Sequence, residues 1–223
     1  MKEYFYKREY KYMYASIFFY NFAYALIETF GTVMLYQAGL PIYMILLIYG
    51  MRFLITGLIT PLFVTISNKI GVAKCVLISN IFSIINSYFM LNSENLYSNI
   101  IIFIIAMGLM GLSNPSSDSL SNKYVESKHR GRFNSIYFIS KILGIVLASV
   151  LVAWGIISNN KVVLLSIITI FYILQYIVIL QIDYKPEKKT NTFKSSIKYL
   201  LHSKSKYKVI YALRANHIIE RLF

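Results

Sequence analysis

Apolar residues run through this chain in six long stretches, 13 to 36, 43 to 66, 75 to 92, 99 to 120, 134 to 157 and 162 to 182, parted by short polar or glycine-containing connections. At about 1.5 Å of rise per helical residue, stretches of this size reach across roughly 30 Å of hydrocarbon. The pattern therefore predicts an all-α membrane protein with six transmembrane helices. The first span ends at Gln37-Ala38-Gly39-Leu40-Pro41, where glycine and proline stop one helix and set up the next. So short a connection makes the first two spans antiparallel neighbours.

Beyond the sixth span the text changes. Asp183 to Lys189 is a polar break, and Thr192 to His202 then places Phe193, Ile197, Leu200 and Leu201 on one helical face with Lys194 and Lys198 on another. That arrangement suits a helix lying in the headgroup region, within a cytoplasmic linker over 183–206. Residues 207–223, with Arg214, His217, Glu220 and Arg221, read as the start of a seventh helix cut off at Phe223. Residues 1–182 form the six-helix bundle in this scheme.

Composition supports a lipid-facing protein: 57% of residues are hydrophobic and 14% charged, with a mean hydropathy of +0.57. A formal net charge of +14 raises nucleic acid as a partner. The positions of the basic residues argue otherwise. Lys2, Lys7, Arg8 and Lys11 precede the first span, Lys69 and Lys74 follow the second, Lys123, Lys128, Arg130 and Arg132 follow the fourth, and eight lysines follow the sixth. The three opposite connections hold only Lys161. Such asymmetry places both ends of the bundle in the cytoplasm of a cell-membrane protein, with anionic lipid as the partner of the excess charge and no nucleic acid.

Cys75 stands alone in the sequence, and His129, His202 and His217 all fall outside the spans, so neither a metal constellation nor a cofactor site is expected. Chemistry is confined to a few polar residues at membrane depth. Glu28 and Arg52 both fall about 4 to 5 Å outside the midplane of their spans, which allows an ion pair between adjacent helices. Tyr14, Asn21 and Glu28 recur every seven residues with Tyr24 between, a polar stripe suited to a cavity wall. The competing view is a structural pair that fixes helix packing. Asn114, Asp118, Lys141 and Gln175 form a second set, with Asn114 and Lys141 about 7 Å inside the midplane. Ser140, Gly144 and Ala148 mark a close helix contact, and Gly50 and Gly57 suggest another.

Between spans two and three the chain reads Val64-Thr65-Ile66-Ser67-Asn68-Lys69-Ile70-Gly71-Val72-Ala73-Lys74. This resembles the signature loop of the major facilitator superfamily, with Lys69, Gly71 and Lys74 fitting in kind and Asn68 replacing the usual carboxylate. The run from Gly108 to Pro115 and the turn Arg130-Gly131-Arg132 resemble that family's fourth span and inner turn. The fifth-span antiporter signature is matched only at Gly144. The resemblance implies the N-terminal half, linker and start of the second half of a twelve-span transporter, which would need a missing second half or a second copy. By the same resemblance, spans one and four line a cavity, spans three and six face lipid, and a small solute moves by alternating access past Asn21, Glu28, Arg52, Asn114 and Lys141.

Other function classes compete with that one. A six-span homodimer or scaffold, or a truncated non-functional transporter fragment, fits the same pattern. An intramembrane serine protease, suggested by Gly111-Leu112-Ser113-Asn114, lacks a histidine base within any span. No phosphate-binding loop supports an ATP-driven exporter. The chain is thus expected not to be an enzyme.

Overall fold

A computed structural model describes residues 8–37, 39–92, 105–106, 108–110, 125, 129–153 and 160–182. All belong to a compact unit spanning Met1–Glu187. Five helices order the described chain: α1 Arg8–Gln37, α2 Ile42–Ile70, α3 Val72–Leu91, α4 Arg130–Ala153 and α5 Lys161–Leu180. They correspond to predicted spans one, two, three, five and six. The fourth predicted span contributes only residues 105–106 and 108–110 to the description, so the described helices number five, not six. The predicted linker helix and the segment 207–223 lie outside the described residues, as do Asn114, Asp118 and Trp154.

Four helices, α1, α3, α4 and α5, are long and apolar enough to cross a membrane, and α2 carries a shorter apolar stretch, Ile42–Leu58. Helices outrun the apolar stretches that predicted them. Hydropathy marks where lipid would begin and end, whereas backbone hydrogen bonding continues through any residues that tolerate helical dihedrals. Hence α1 begins at Arg8, five residues before its predicted start, and α4 at Arg130, four before.

The connection of spans two and three shows the same effect more sharply. Asn68 and Lys69 belong to α2, and Lys74 is an exposed residue in the first turn of α3, so the expected loop shrinks to one residue. Gly71 has φ 88° and ψ 158°, a region open essentially to glycine alone. Its N–H donates to the Ser67 carbonyl (3.0 Å) while its own carbonyl accepts from Cys75 (3.2 Å), so it closes one helix and opens the next.

At the opposite end, α1 stops as its sequence implies. Gly39, at φ 87°, donates to the Tyr36 carbonyl (3.0 Å), and Leu40 donates to the Leu35 carbonyl (3.1 Å). This is a Schellman ending, completed by the fully buried Leu35 and Leu40 in one core cluster. Pro41 then precedes the first residue of α2 with extended dihedrals. On α5, the Asn160 side chain caps the helix by accepting from Val162 (3.0 Å) and Val163 (3.4 Å).

α1 is the hub, packing against all four other helices, while α3 also packs on α5 and α2. The α1–α4 contact is the closest. A Cβ at Gly144 would lie 2.6 Å from the Phe18 carbonyl oxygen and 3.1 Å from the Phe22 nitrogen. Only a residue without a side chain lets the backbones come so near. Ala148, one turn on, is buried against the same core, whereas Ser140 donates to the Ile136 carbonyl of its own helix (3.0 Å). Among the described residues no small-residue contact forms on α2: Gly50 and Gly57 are exposed, with nothing within 4 Å of an added Cβ. Their α2 face, with Leu46, Leu47, Leu54 and Leu58, points away from the bundle.

Aromatic rings fill the remaining space in the core. Phe22 stacks on Phe171 at 3.9 Å, joining α1 to α5, and Phe133 of α4 packs against Tyr10 and Tyr14 of α1 at 5.4 and 5.2 Å. α3 contributes a buried polar seam instead: Ser79, Asn80, Ser83, Asn86 and Ser87. Asn80 donates to the Tyr172 carbonyl of α5 (2.9 Å) and Ser79 to the Met110 carbonyl (2.5 Å). Ser83 and Ser87 return their protons to carbonyls one turn earlier, at 2.9 and 2.6 Å. Spans three and six each bury polar groups on one flank while exposing apolar residues on the other, Leu77 and Ile81 on α3 and Ile170, Ile173, Ile177 and Leu180 on α5. That apolar flank suits lipid.

Candidate functional site

Glu28 and Arg52 meet. Two helices joined by a tight turn run antiparallel, so residues on either side of that turn are forced to similar depth. Arg52 donates through Nη1 to Glu28 Oε1, forming an ion pair. Its second terminal nitrogen, Nη2, donates to the Tyr24 hydroxyl at 2.5 Å. The guanidinium carbon lies 5.0 Å from the Tyr24 ring centroid and 5.8 Å from that of Phe53. A cation removed from water is thus held by a carboxylate, a hydroxyl and two π faces together.

One turn further along α1, a second rung links the same two helices. Thr32 Oγ1 donates to the Glu28 carbonyl of its own helix (2.7 Å) and lies 2.7 Å from the Tyr49 hydroxyl. Because the single threonine proton is already committed, Tyr49 is the donor in that contact. Tyr49 sits three residues before Arg52, so both fall on one face of α2. Tyr20 stacks on Tyr24 at 5.8 Å and packs on Tyr172 of α5 at 6.1 Å, extending the aromatic lining toward α5.

The two members of the ion pair are unequally enclosed. The Arg52 side chain is 10% exposed and that of Glu28 29%. The carboxylate is therefore the more accessible member of the pair.

The other expected site residues are dispersed. Asn21 is buried on α1, where its Nδ2 donates to the Ile17 carbonyl of the same helix at 2.8 Å. Tyr14, at the inner end of the predicted stripe, packs on Phe133. Lys141 lies half-buried on α4, three residues before Gly144, and Gln175 is buried on α5. Asn114 lies outside the described residues. Of the inner motif residues, Lys74, Arg130, Gly131 and Arg132 are exposed at helix starts. Among the described residues no group of three or more histidine, cysteine, aspartate or glutamate side chains could hold a metal.

Thr32, Tyr49 and Tyr20 were not expected from sequence. Thr32 follows Glu28 by four residues and Tyr49 precedes Arg52 by three, so helical spacing from the charged pair would have found both.

A family model for the Major Facilitator Superfamily matches residues 12–219 of this chain. No curated protein and no solved structure matches it.

Proposed function

The chain belongs to the Major Facilitator Superfamily, and on that premise we propose that the Glu28–Arg52 pair is the solute-coupling site of a transporter working by alternating access. Membership makes the protein a secondary transporter with multi-pass membrane helices that moves a small solute, and not an enzyme. The observation that carries the proposal is the ion pair itself, set between α1 and α2 and supported by the Tyr24 and Thr32–Tyr49 contacts. An ionisable pair at membrane depth carries a desolvation cost that apolar packing would avoid, and transport sites are where such groups recur.

Glu28 carries the coupling proton in this reading. Protonation would remove its charge, weaken its hold on Arg52 and let α1 and α2 re-pair as the cavity changes its open side. In the same reading Asn21, Asn114 and Lys141 are the further residues assigned to the solute. The ends bearing Arg8, Lys74, Arg130 and Arg132 face the cytoplasm of the cell membrane, as the distribution of basic residues suggests. An introduced cysteine at position 130 that reacts with an impermeant reagent outside intact cells would reverse this orientation.

Proteoliposomes loaded with a pH-sensitive dye test the coupling. A transported solute should shift internal pH in the wild type. Glu28→Gln should abolish the shift while leaving the amount of inserted protein unchanged. Retention of the full response in both Glu28→Gln and Arg52→Gln would overturn the proposal.

A further inference from the structure

The unequal exposure of the ion pair bears on what the site can accept. Arg52 has committed Nη1 to Glu28 and Nη2 to Tyr24, and its guanidinium lies against the Tyr24 and Phe53 rings. An arriving anion would have to reach the remaining N–H groups of a cation whose side chain is only 10% exposed, close beside a carboxylate that repels it. Glu28 presents the opposite case. Its side chain is nearly three times as exposed, 29% against 10%, and a carboxylate has two oxygens able to accept several hydrogen bonds in addition to the one from Arg52. A positively charged donor can join the pair without breaking it.

The surrounding walls favour the same sign of charge. Tyr20 and Tyr24 stack at 5.8 Å with an 18° interplanar angle, and Tyr49 reaches from α2 to Thr32, one turn beyond Glu28. All three tyrosines are half-buried and keep some aromatic surface accessible, with Arg52 lying over the Tyr24 ring and leaving Tyr20 and Tyr49 as the less committed of the three. The negative faces of such rings attract ammonium groups and pack well against a flat apolar body. The geometry points to a monovalent organic cation, an ammonium carried on an aromatic or apolar body, as the solute class of this site. This rests on the reading of Glu28–Arg52 as the solute site. Glu28 is the ligand for the charge and Tyr20, Tyr24 and Tyr49 are the ligands for the body, while Arg52 keeps the carboxylate oriented.

Binding in lipid nanodiscs tests the sign of charge directly, with empty nanodiscs correcting for partition into lipid. The probes are a dansyl fluorophore on an ethylammonium arm and the same fluorophore on a propionate arm, read by fluorescence polarisation. The ammonium probe should bind saturably and about tenfold or more tighter than the carboxylate, a difference of about 1.4 kcal/mol or more. Glu28→Gln should weaken the ammonium probe by about tenfold or more. Glu28→Asp, which keeps the charge but shortens the arm, should bind it with intermediate affinity and covers the case in which the glutamine variant fails to insert. Equal or tighter binding of the carboxylate probe, no saturable binding of either, or indifference to both substitutions would each overturn the assignment. Solute-driven pH changes lost in Glu28→Gln would still support the transport reading in those cases, so the two proposals fail separately.

Discussion

α1 makes two contacts of opposite kind, one with α4 and one with α2. Against α4 it relies on the absence of a side chain, with Gly144 letting the α4 backbone approach the Phe18 carbonyl. Against α2 it relies on charge and hydroxyl groups, Glu28 with Arg52, Tyr24 with Arg52, and Thr32 with Tyr49. A helix bundle in lipid can divide labour between contacts of these two kinds. Dispersion between close backbones falls off within an ångström or so and has one good geometry, so it fixes a position. Hydrogen bonds among several donors and acceptors can be exchanged for others of similar energy, so they permit more than one. The α1–α4 contact is therefore structural and the α1–α2 contact adjustable.

Substitution can break this contrast, and the largest effect is expected on the rigid side. Gly144→Leu must push α1 and α4 apart, and even the Cβ of Gly144→Ala meets a carbonyl oxygen. Thermal unfolding in detergent should show Gly144→Ala destabilised by about 1 to 3 kcal/mol and Gly144→Leu by more. Parity of Gly144→Leu with wild type would show that the contact carries no constraint.

Gly71→Ala is expected next. It forces a side chain onto a backbone conformation held almost exclusively by glycine, at a cost of about 1 to 3 kcal/mol. Because no atom lies within 4 Å of the added Cβ, the loss would come from the backbone alone. Gly50→Ala and Gly57→Ala serve as controls, since both lie in open space within α2 and should be neutral or slightly stabilising.

On the adjustable side, Thr32→Val removes one rung and should cost only about 0.6 kcal/mol, the usual size of a hydrogen bond between membrane helices. Its effect on solute-driven pH change should exceed that small stability loss. Equal loss of stability and transport across Gly144→Ala, Gly71→Ala and Thr32→Val would remove the distinction between the two contacts.

The charged pair could be read from sequence because few ionisable residues occur at membrane depth, and the tight turn after α1 constrains which of them meet. The hydroxyl groups were less legible. A tyrosine near a span end looks like an interfacial anchor, and a threonine can satisfy itself on its own helix, as Thr32 does on Glu28 before it meets Tyr49. Glycine was ambiguous for a related reason. Gly50, Gly57 and Gly144 look alike in sequence, but only packing order around α1 decides which helix face turns inward. The buried α3 seam did carry a signal, since Ser79, Asn80, Ser83, Asn86 and Ser87 fall on one helical face. Asn21, expected on a cavity wall from its place in the polar stripe, is buried and donates to the Ile17 carbonyl of its own helix.

α2 is tied to its neighbours at both ends. Gly71 joins it directly to α3, and the Schellman ending of α1 joins it to Pro41 within a few residues. Both connections are short, Gly71 at one end and Gly39 to Pro41 at the other. A turn about its own long axis, like a spindle, would keep both connections, and among the described residues nothing lies within 4 Å of a Cβ added at Gly50 or Gly57. A group at the rim of a helix stands about 5 to 6 Å from the axis, so a turn of about 30° carries it about 3 Å. That arc takes a guanidinium out of hydrogen-bond reach of a carboxylate, and Arg52 could engage or release Glu28 with both ends of its helix anchored.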